Sequence, residues 1–161
     1  MSRHKKNGYF VRAKEVPKPL VVKIKRRAYF SEVDALGIVW YGRYAQYFEE
    51  AAAALGRKCG LSYRDFYRSK LAAPIVEFHI DYHQPLYLDE EFTVTASLIW
   101  NEGSRINIEF ELRKKDKGLA TSGYTVQMFM NAKTGEVYLN SPALLEHCRK
   151  RWRKGEFKCP E

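Results

Sequence analysis

The spacing of apolar residues changes from strand-like to helix-like and back along the chain. Residues 20–30, LVVKIKRRAYF, are rich in β-branched and aromatic residues and predict a strand, which a bend over 31–37 follows. A long helix is then expected from about Trp40 to Gly56, because apolar residues recur there every three or four positions and the glycine is a stop signal. These apolar positions are Tyr44, Tyr47 or Phe48, Ala51 and Leu55. The alanine-rich second half predicts that this helix is buried on several sides.

A short helix and at least four strands are expected after the long helix. Residues 61–70 predict the short helix, with Ser62 as its N-cap. The stretch from about 74 to 131 predicts strands joined by antiparallel hairpins, because their loops are too short for parallel crossovers. The four strand-like runs are IVEFHIDYH, FTVTASLIW, RINIEFELRKK and ATSGYTVQMFM. A closing helix is expected over 141–154, with Ser141 as N-cap and Pro142 at the first helical position.

Alternation within the last two strand-like runs assigns their side chains to faces. In the third run, one face is apolar and carries Ile106, Ile108, Phe110 and Leu112, and the other carries Asn107, Glu109 and Glu111. In the fourth run, one face is expected to carry Ala120, Ser122, Tyr124, Val126, Met128 and Met130. One apolar helix packed on one curved antiparallel sheet is an α+β arrangement, which is the predicted fold class.

The length and composition fit one folded domain. The chain has 161 residues, enough to bury a sizeable core. Its composition, with 45% hydrophobic and 29% charged residues, argues against disorder of the whole chain. Residues 1–19 are expected to form a flexible basic arm, with Pro17 and Pro19 at its end. The sequence contains no internal repeat that would indicate a second unit.

The charge balance is basic, with 28 Lys+Arg against 19 Asp+Glu and a formal net charge of +9. Such a surface favours polyanionic partners, among them nucleic acid, anionic lipid, phosphorylated cofactors and an acidic carrier protein. The three cysteines (Cys59, Cys148 and Cys159) are far apart, which argues against a disulfide framework or a zinc site and fits the reducing cytoplasm. Membrane insertion is not expected, because no run approaches the roughly 18 apolar residues that a spanning helix needs.

The stretch DALGIVWYGRY, residues 34–44, places one carboxylate in a bend just before the long helix. The first N–H groups of a helix have no intrahelical acceptors and carry partial positive charge, so they can polarise a carbonyl group. Asp34 and this helix start together make two parts of an acyl-transfer site, and Gly37 would let backbone approach a ligand closely. From the pattern alone the commoner explanation is that Asp34 stabilises a turn.

The segment FSEVDALGIVWYGRYAQYFEEA, residues 30–51, resembles the signature of hotdog-fold acyl-CoA thioesterases. The most similar branch is that of 4-hydroxybenzoyl-CoA thioesterase and its YbgC-like bacterial relatives. The matching elements are Asp34, Gly37, Ile38–Val39, Tyr44 and Glu49. The stretch YHQPLYLDEEF adds an acidic pair, Asp89–Glu90, at a position where the family usually has one. The resemblance reverses the balance for Asp34 and favours a catalytic role.

The resemblance implies a hotdog fold over residues 20–145, in which a five-stranded antiparallel sheet wraps a long central helix, and leaves 146–161 as a basic C-terminal tail. It implies a homodimer or homotetramer with sites at the dimer interface, and no metal or redox cofactor. Asp34 would be the nucleophile or general base, and the backbone N–H of Tyr41 would bind the thioester oxygen. The residues expected to contact substrate are Gly37, Ile38, Val39, Trp40 and Tyr44.

Two departures from the family pattern bear on the substrate. Ala52 stands where family members often have arginine, and Tyr41 stands where many YbgC-like members have histidine. Another thioesterase branch uses a carboxylate on the helix, so Glu49 and Glu50 are reserve catalytic candidates. Their simpler explanation is a structural or interface hydrogen bond.

Two further clusters have simpler explanations than binding sites. Glu77, His79, Asp81 and His83 alternate along one strand and could hold a metal, but side chains at i, i+2 spread apart, so a polar face or subunit interface is expected. RKRWRK, residues 149–154, is expected to be a solvated helix end, and nucleic-acid binding is the less favoured explanation. Coenzyme A carries phosphates that basic residues bind. The candidates for that contact are Arg43, Arg57, Lys58 and Arg105.

The sequence therefore predicts a cytoplasmic acyl-CoA thioesterase that hydrolyses an acyl thioester to a carboxylic acid and free coenzyme A. The alternatives are a thioesterase that acts on acyl carrier protein, and a binding module that holds acyl-CoA or nucleic acid without turnover.

Overall fold

The computed structural model describes residues 8–157 and contains one five-stranded sheet, one long helix and two shorter helices. The main strands are β1 (Leu20–Arg27), β3 (Ile75–Tyr82), β4 (Glu91–Ile99), β5 (Arg105–Lys114) and β6 (Leu119–Met128). Two short strands, β2 (Leu71–Ala72) and β7 (Met130–Asn131), pair with each other. The helices are α1 (Tyr44–Cys59), α2 (Tyr63–Arg68) and α3 (Ala143–Arg153). This arrangement confirms the predicted α+β class with a five-stranded antiparallel sheet.

The strand order in the sheet is β1-β4-β5-β6-β3, and every neighbouring pair is antiparallel. Hairpins join β4 to β5 and β5 to β6, as predicted. The expected hairpin between β3 and β4 is wrong, because β3 pairs with β6 at the far edge of the sheet. The connection 83–90 therefore crosses from one side of the sheet to the other. Its course brings it against the loop that precedes α1, where Val39 N–H donates to Leu86 O at 2.8 Å.

The core lies between α1 and the inner face of the sheet. The apolar face predicted for β5 is buried, and Phe110 on that face stacks on Phe48 of α1 with ring centroids 4.4 Å apart. Gly123 on β6 lies opposite Phe110 and has no room for a side chain, because a Cβ there would be 2.3 Å from His79 O. Burial of this aromatic and aliphatic surface is the main stabilising contribution to the fold.

The long helix ends one turn later than the sequence predicts. Gly56 is not the stop signal but a buried position inside α1, where an added Cβ would be 2.6 Å from Leu61 O. Gly60 ends the helix instead, in the left-handed conformation with φ 77°. The short helix follows as predicted, and Ser62 caps it by accepting a hydrogen bond from Asp65 N–H.

The end of β6 differs from the predicted alternation. Ser122, Tyr124, Val126 and Met128 share the outer face of the sheet, since they lie opposite outer-face residues of β5. Met130 does not continue that face, because the strand ends at Met128 and Met130 belongs to β7.

The closing helix begins one residue later than expected and packs on the core. Its N-cap is Pro142, and Ser141 instead accepts a hydrogen bond from the Arg149 guanidinium at 2.7 Å. The helix crosses the expected boundary between residues 145 and 146, and its Leu145, Cys148 and Trp152 are buried. The predicted helix is therefore an integral layer of the fold, since Trp152 also donates to Lys18 O at 2.8 Å.

Tyr9, Phe10 and Arg12 of the expected arm lie against the outer face of the sheet. Tyr9 N–H and Phe10 N–H both donate to Glu109 Oε1, and Arg12 forms an ion pair with the same carboxylate at 2.9 Å. Residues 1–7 and 158–161, which include Cys159, lie outside the described residues. Cys59 and Cys148 are buried free thiols. Within residues 8–157, no helix combines the length and apolar character needed to cross a membrane.

Candidate active site

The loop before α1 is a tight turn held by backbone hydrogen bonds. Asp34 N–H donates to Ile38 O at 2.8 Å, and Gly37 N–H donates to Asp34 O at 3.0 Å. Gly37 has φ 74°, and no atom would lie within 4 Å of a Cβ added there, so the turn conformation is what requires glycine. Leu88 N–H donates to Gly37 O at 3.0 Å and ties the loop to the 83–90 connection.

The Asp34 carboxylate has two different oxygens. Oδ1 accepts a hydrogen bond from Leu36 N–H at 2.8 Å, which is the side-chain turn that aspartate commonly makes. The side chain is half-buried and contributes to the lining of an open cleft of about 300 Å³. The structure confirms the turn role of Asp34 through one oxygen, and the residue also lines a cavity, while its catalytic role stays a prediction.

The cleft collects residues from the loop, from the start of α1 and from the end of β3. Its lining consists of Asp34, Ile38, Val39, Tyr41, Tyr44, Tyr82, His83, Gln84 and Pro85. Five of these, Asp34, Ile38, Val39, Tyr41 and Tyr44, were predicted from the sequence as site residues. Gly37 and Trp40 do not line the cleft, and the Trp40 ring instead packs on Tyr41 with centroids 5.0 Å apart and fills the space beside Gly42.

Tyr41 opens a single 3-10 turn, Tyr41–Arg43, that leads directly into α1. Its N–H is thus among the first of a continuous helical segment, where N–H groups lack intrahelical acceptors. Tyr82 OH donates to Tyr41 O at 2.8 Å and so fixes this peptide from the β3 side. Tyr41, at the start of this helical segment, and Asp34 therefore line the same cleft.

Aromatic side chains form the walls of the cleft. Tyr44 is buried and meets Tyr82 edge to face, with ring centroids 5.2 Å apart. Burial raises the pKa of Tyr44 and of Tyr82, so both hydroxyls stay protonated at neutral pH. Sequence reasoning missed Tyr82, although it lies on the inner face of β3, opposite the polar face that drew attention; its place in the alternating pattern is the signal that could have found it.

The reserve candidates Glu49 and Glu50 lie away from this cleft. Glu50 Oε2 forms an ion pair with Arg26 Nη1 at 3.2 Å, and Glu49 accepts a long hydrogen bond from Tyr63 OH at 3.5 Å. Glu49 is exposed on α1, so its contacts fit the simpler structural explanation.

A buried carboxylate that the sequence did not single out supports the loop from behind. Glu32 accepts hydrogen bonds from Arg26 Nη2 and from Tyr29 N–H, both at 2.8 Å, while its carbonyl oxygen accepts from Trp40 N–H at 2.9 Å. Burial raises the pKa of the neighbouring Tyr47, and the Glu32 carboxylate raises it further. Glu32 therefore joins both ends of the loop to the core.

The expected phosphate-binding residues are spread over the surface. Arg43 is next to the site and donates to Ser31 O at 3.2 Å, whereas Lys58 donates to Val21 O at the other end of α1. Arg57 and Arg105 are exposed.

The polar outer-face residues of β3, and His83 directly after it, pair with neighbouring groups. Glu77 accepts from Tyr124 OH, His79 Nε2 lies 3.0 Å from Asp81 Oδ2, and His83 Nε2 lies 2.8 Å from Ser122 Oγ. Within residues 8–157, no group of three or more His, Cys, Asp or Glu side chains is arranged to hold a metal ion.

Comparison with known proteins agrees with this architecture. The family model of the thioesterase-like superfamily matches residues 29–149. A protein from Aquifex aeolicus that carries the name of an esterase is 32% identical over 111 residues, which cover 68% of this chain and 85% of that protein. A 1,4-dihydroxy-2-naphthoyl-CoA hydrolase from Synechococcus elongatus is 24% identical over 107 residues, covering 65% of this chain and 78% of that protein.

A solved structure shows the same fold. A Staphylococcus aureus protein, crystallised in complex with CoA, superimposes with a TM-score of 0.75 at 18% identity and covers 91% of this chain and 89% of that one. The long helix, the sheet order and the family match agree with each other. The chain belongs to the thioesterase-like superfamily, and it is a thioester hydrolase with the hotdog fold.

Proposed function

We propose that the protein hydrolyses acyl-CoA, with Asp34 as nucleophile or general base and the Tyr41 N–H as the donor that polarises the thioester carbonyl. One observation carries the proposal: the Asp34 carboxylate and the start of the α1 helical segment line the same cleft. A carboxylate and an N–H donor on opposite sides of a carbonyl are what acyl transfer to water needs.

The Asp34 carboxylate can act in either of two ways. As nucleophile, one oxygen attacks the carbonyl carbon, the C–S bond breaks, the thiolate takes a proton from solvent, and water then hydrolyses the acyl anhydride. As general base, it removes a proton from water, which attacks the carbonyl carbon directly; the C–S bond then breaks, and the protonated carboxyl group returns the proton to the departing thiolate. In both routes Leu36 N–H holds Oδ1 and leaves Oδ2 for the reaction, which supports a fixed orientation of the reacting oxygen.

The cleft favours an aromatic acyl group. Three tyrosine side chains line it, and flat rings stack well on such walls. The similarity to a 1,4-dihydroxy-2-naphthoyl-CoA hydrolase supports the same substrate class. The basic net charge of +9, with Arg43 beside the loop, suits the phosphates of coenzyme A.

The working unit is proposed to be a homodimer or homotetramer. Strand β3 is an edge strand, and its Ile75, Val76, Phe78 and Tyr82 are each about half exposed. An edge strand with exposed apolar side chains is a surface for strand pairing with a second copy. Location in the cytoplasm stays a prediction from the scattered cysteines.

The test is thiol release from a panel of acyl-CoAs with short, long and aromatic acyl groups. We expect turnover, fastest with aromatic acyl groups, and its loss in Asp34→Asn. The matched control is Asp116→Asn, because Asp116 Oδ1 accepts from Gly118 N–H at 2.8 Å in the same kind of turn but lies outside the cleft. No turnover of any acyl-CoA would contradict the proposal and favour acyl carrier protein as the carrier, or binding without turnover.

A further inference from the structure

Tyr9 of the N-terminal arm occupies a socket on the outer face of the sheet. The residues that form this socket are His79, Asp81, Ser122 and Tyr124. The Tyr9 ring packs beside the stacked rings of His79 and Tyr124, with centroids 5.6 and 5.2 Å away. Its hydroxyl lies 2.8 Å from Asp81 Oδ2 and 2.6 Å from Ser122 Oγ. Ser122 is fully buried, and its Oγ also lies 2.8 Å from His83 Nε2.

The backbone at Tyr9 is hydrogen-bonded to the sheet as well. The Glu109 carboxylate accepts from Tyr9 N–H at 2.7 Å and is largely buried by the arm. Gly8 has φ 84°, and a Cβ there would be 2.6 Å from that carboxylate. Only glycine therefore lets the arm approach Glu109 this closely.

The donor and the acceptor of each hydrogen bond in this socket can be assigned. An ionised carboxylate only accepts, so Tyr9 OH donates its single hydrogen to Asp81. Ser122 O–H must then donate to the Tyr9 oxygen, and Ser122 Oγ is left to accept from His83 Nε2–H. Burial raises the pKa of Tyr9 to about 12, which keeps its hydrogen in place at neutral pH.

His83, the last residue in this series of hydrogen bonds, belongs to the segment that forms one side of the cleft. Residues 83–85 line the cleft together with Asp34 and Tyr44. The backbone of the segment is tied to the sheet, because His83 N–H and Gln84 N–H both donate to Ala120 O at 2.8 and 3.0 Å. The hydrogen bond between the His83 side chain and Ser122 also holds this segment. It connects the segment to the arm, because Ser122 is hydrogen-bonded to Tyr9.

We propose that Tyr9 and Ser122 are positioning residues for the cleft, which act through His83 to hold the wall formed by residues 83–85. The inference rests on the proposed function, and it makes the arm a working part of the active site although it lies on the other face of the sheet. A displaced wall weakens binding of the acyl group, while Asp34 and the start of α1 keep their places. The expected signature is therefore a change in KM with little change in kcat.

The experiment compares Tyr9→Phe and Ser122→Ala with a matched control, Tyr67→Phe, whose hydroxyl is on an exposed residue of α2. Tyr9→Phe keeps the ring packing and removes only the hydroxyl. With an aromatic acyl-CoA we expect KM to rise about five-fold in Tyr9→Phe and in Ser122→Ala, the effect of one hydrogen bond, with kcat within about two-fold of wild type. The control is expected to match wild type in both constants.

A second measurement reads the hydrogen-bond direction without substrate. Nitrogen-15 NMR of His83, at a pH well above the ordinary histidine range, is expected to show hydrogen on Nε2 in the wild type. In Tyr9→Phe the Ser122 hydrogen is released and can point at Nε2, so we expect the other tautomer to gain population. A wild-type His83 with hydrogen on Nδ1 would overturn the proposed direction and with it the inference.

The kinetic outcomes separate this inference from the proposed function. Unchanged KM in both variants, with wild type active and Asp34→Asn inactive, would overturn the positioning role alone. A fall in kcat at constant KM would overturn it too, because it signals lost transition-state stabilisation or lost folded enzyme and not weaker binding of the acyl group. A wild type that cleaves no acyl-CoA would defeat the proposed function and this inference with it.

Discussion

Two carboxylates only two residues apart occupy opposite sides of the same loop. Glu32 points into the protein, where Arg26 and Tyr29 N–H occupy both of its oxygens. Asp34 points toward the cleft and has one oxygen engaged by Leu36 N–H. The comparison teaches that burial and the number of partners, rather than residue type or spacing, separate a structural acid from the acid that we propose as reactive.

The largest expected effect is on the cleft side of the loop. Asp34→Asn keeps an oxygen that can accept from Leu36 N–H and removes the charge. We expect kcat to fall by about a thousand-fold, within the range for loss of a positioned nucleophile or base. Thermal unfolding should shift little, since surface substitutions stay within about 0.5 kcal/mol. Steady-state thiol release and a melting curve on the same sample check both parts.

For Glu32, on the core side of the loop, a loss of stability is expected instead of a loss of turnover. Glu32→Gln leaves the largely buried Arg26 with Glu50 as its remaining ion-pair partner. Removing one member of a buried pair costs about 3 kcal/mol at the lower end of the usual range. Urea unfolding measures the loss, and Glu111→Gln is the matched control, because Glu111 pairs with Arg113 in an exposed position. Equal midpoints for the two variants would contradict the structural role of Glu32.

A smaller effect is expected where β3 supports the start of α1. Tyr82→Phe removes the hydroxyl that donates to Tyr41 O and leaves the ring against Tyr44. Loss of one hydrogen bond corresponds to about 1 kcal/mol, so kcat/KM should fall about five-fold. Tyr63→Phe, which removes a hydroxyl outside the cleft, provides the comparison. Activity at the wild-type level in Tyr82→Phe would show that Tyr41 does not depend on this bond.

The smallest effect concerns a third carboxylate, Asp65, which completes the capping box that Ser62 begins at the start of α2. Hydrogen bonds from Ser62 lower the pKa of Asp65 in the folded protein below the ordinary 3.8. A carboxyl group whose pKa is lowered by folding stabilises the protein above its unfolded pKa, and this contribution is lost as pH falls through the folded value. Asp65→Asn should therefore lower stability by less than about 1 kcal/mol at neutral pH, and the difference should vanish in acid. Melting curves at neutral pH and at a series of acid pH values descending from 3.8 test the sign.

Local signals predicted the fold class, because alternation and helical spacing are properties of single elements. They failed where two similar signals compete: Gly56 and Gly60 are both glycines near the helix end, and only packing against Leu61 shows that the first is internal. They failed also for strand pairing, since the choice of β6 over β4 as the partner of β3 depends on contacts far apart in sequence.

The candidate site was predictable as far as its residues are neighbours in the chain. Asp34, Ile38, Val39, Tyr41 and Tyr44 meet in one cleft because they share one loop and one helix start. Tyr82 comes from a strand some forty residues away, so no local motif contains it. Glu109 was expected on a polar outer face and is buried instead, because the docked arm covers it.

One pair of measurements tests most directly whether Asp34 has the catalytic role and Glu32 the structural role. The measurements are turnover of an aromatic acyl-CoA and the free energy of unfolding, each for Asp34→Asn and Glu32→Gln. The account predicts that Asp34→Asn loses turnover and keeps its stability, while Glu32→Gln loses stability and keeps most turnover per folded molecule. Turnover that survives in Asp34→Asn would contradict the account, because the cleft contains no other described carboxylate to replace it.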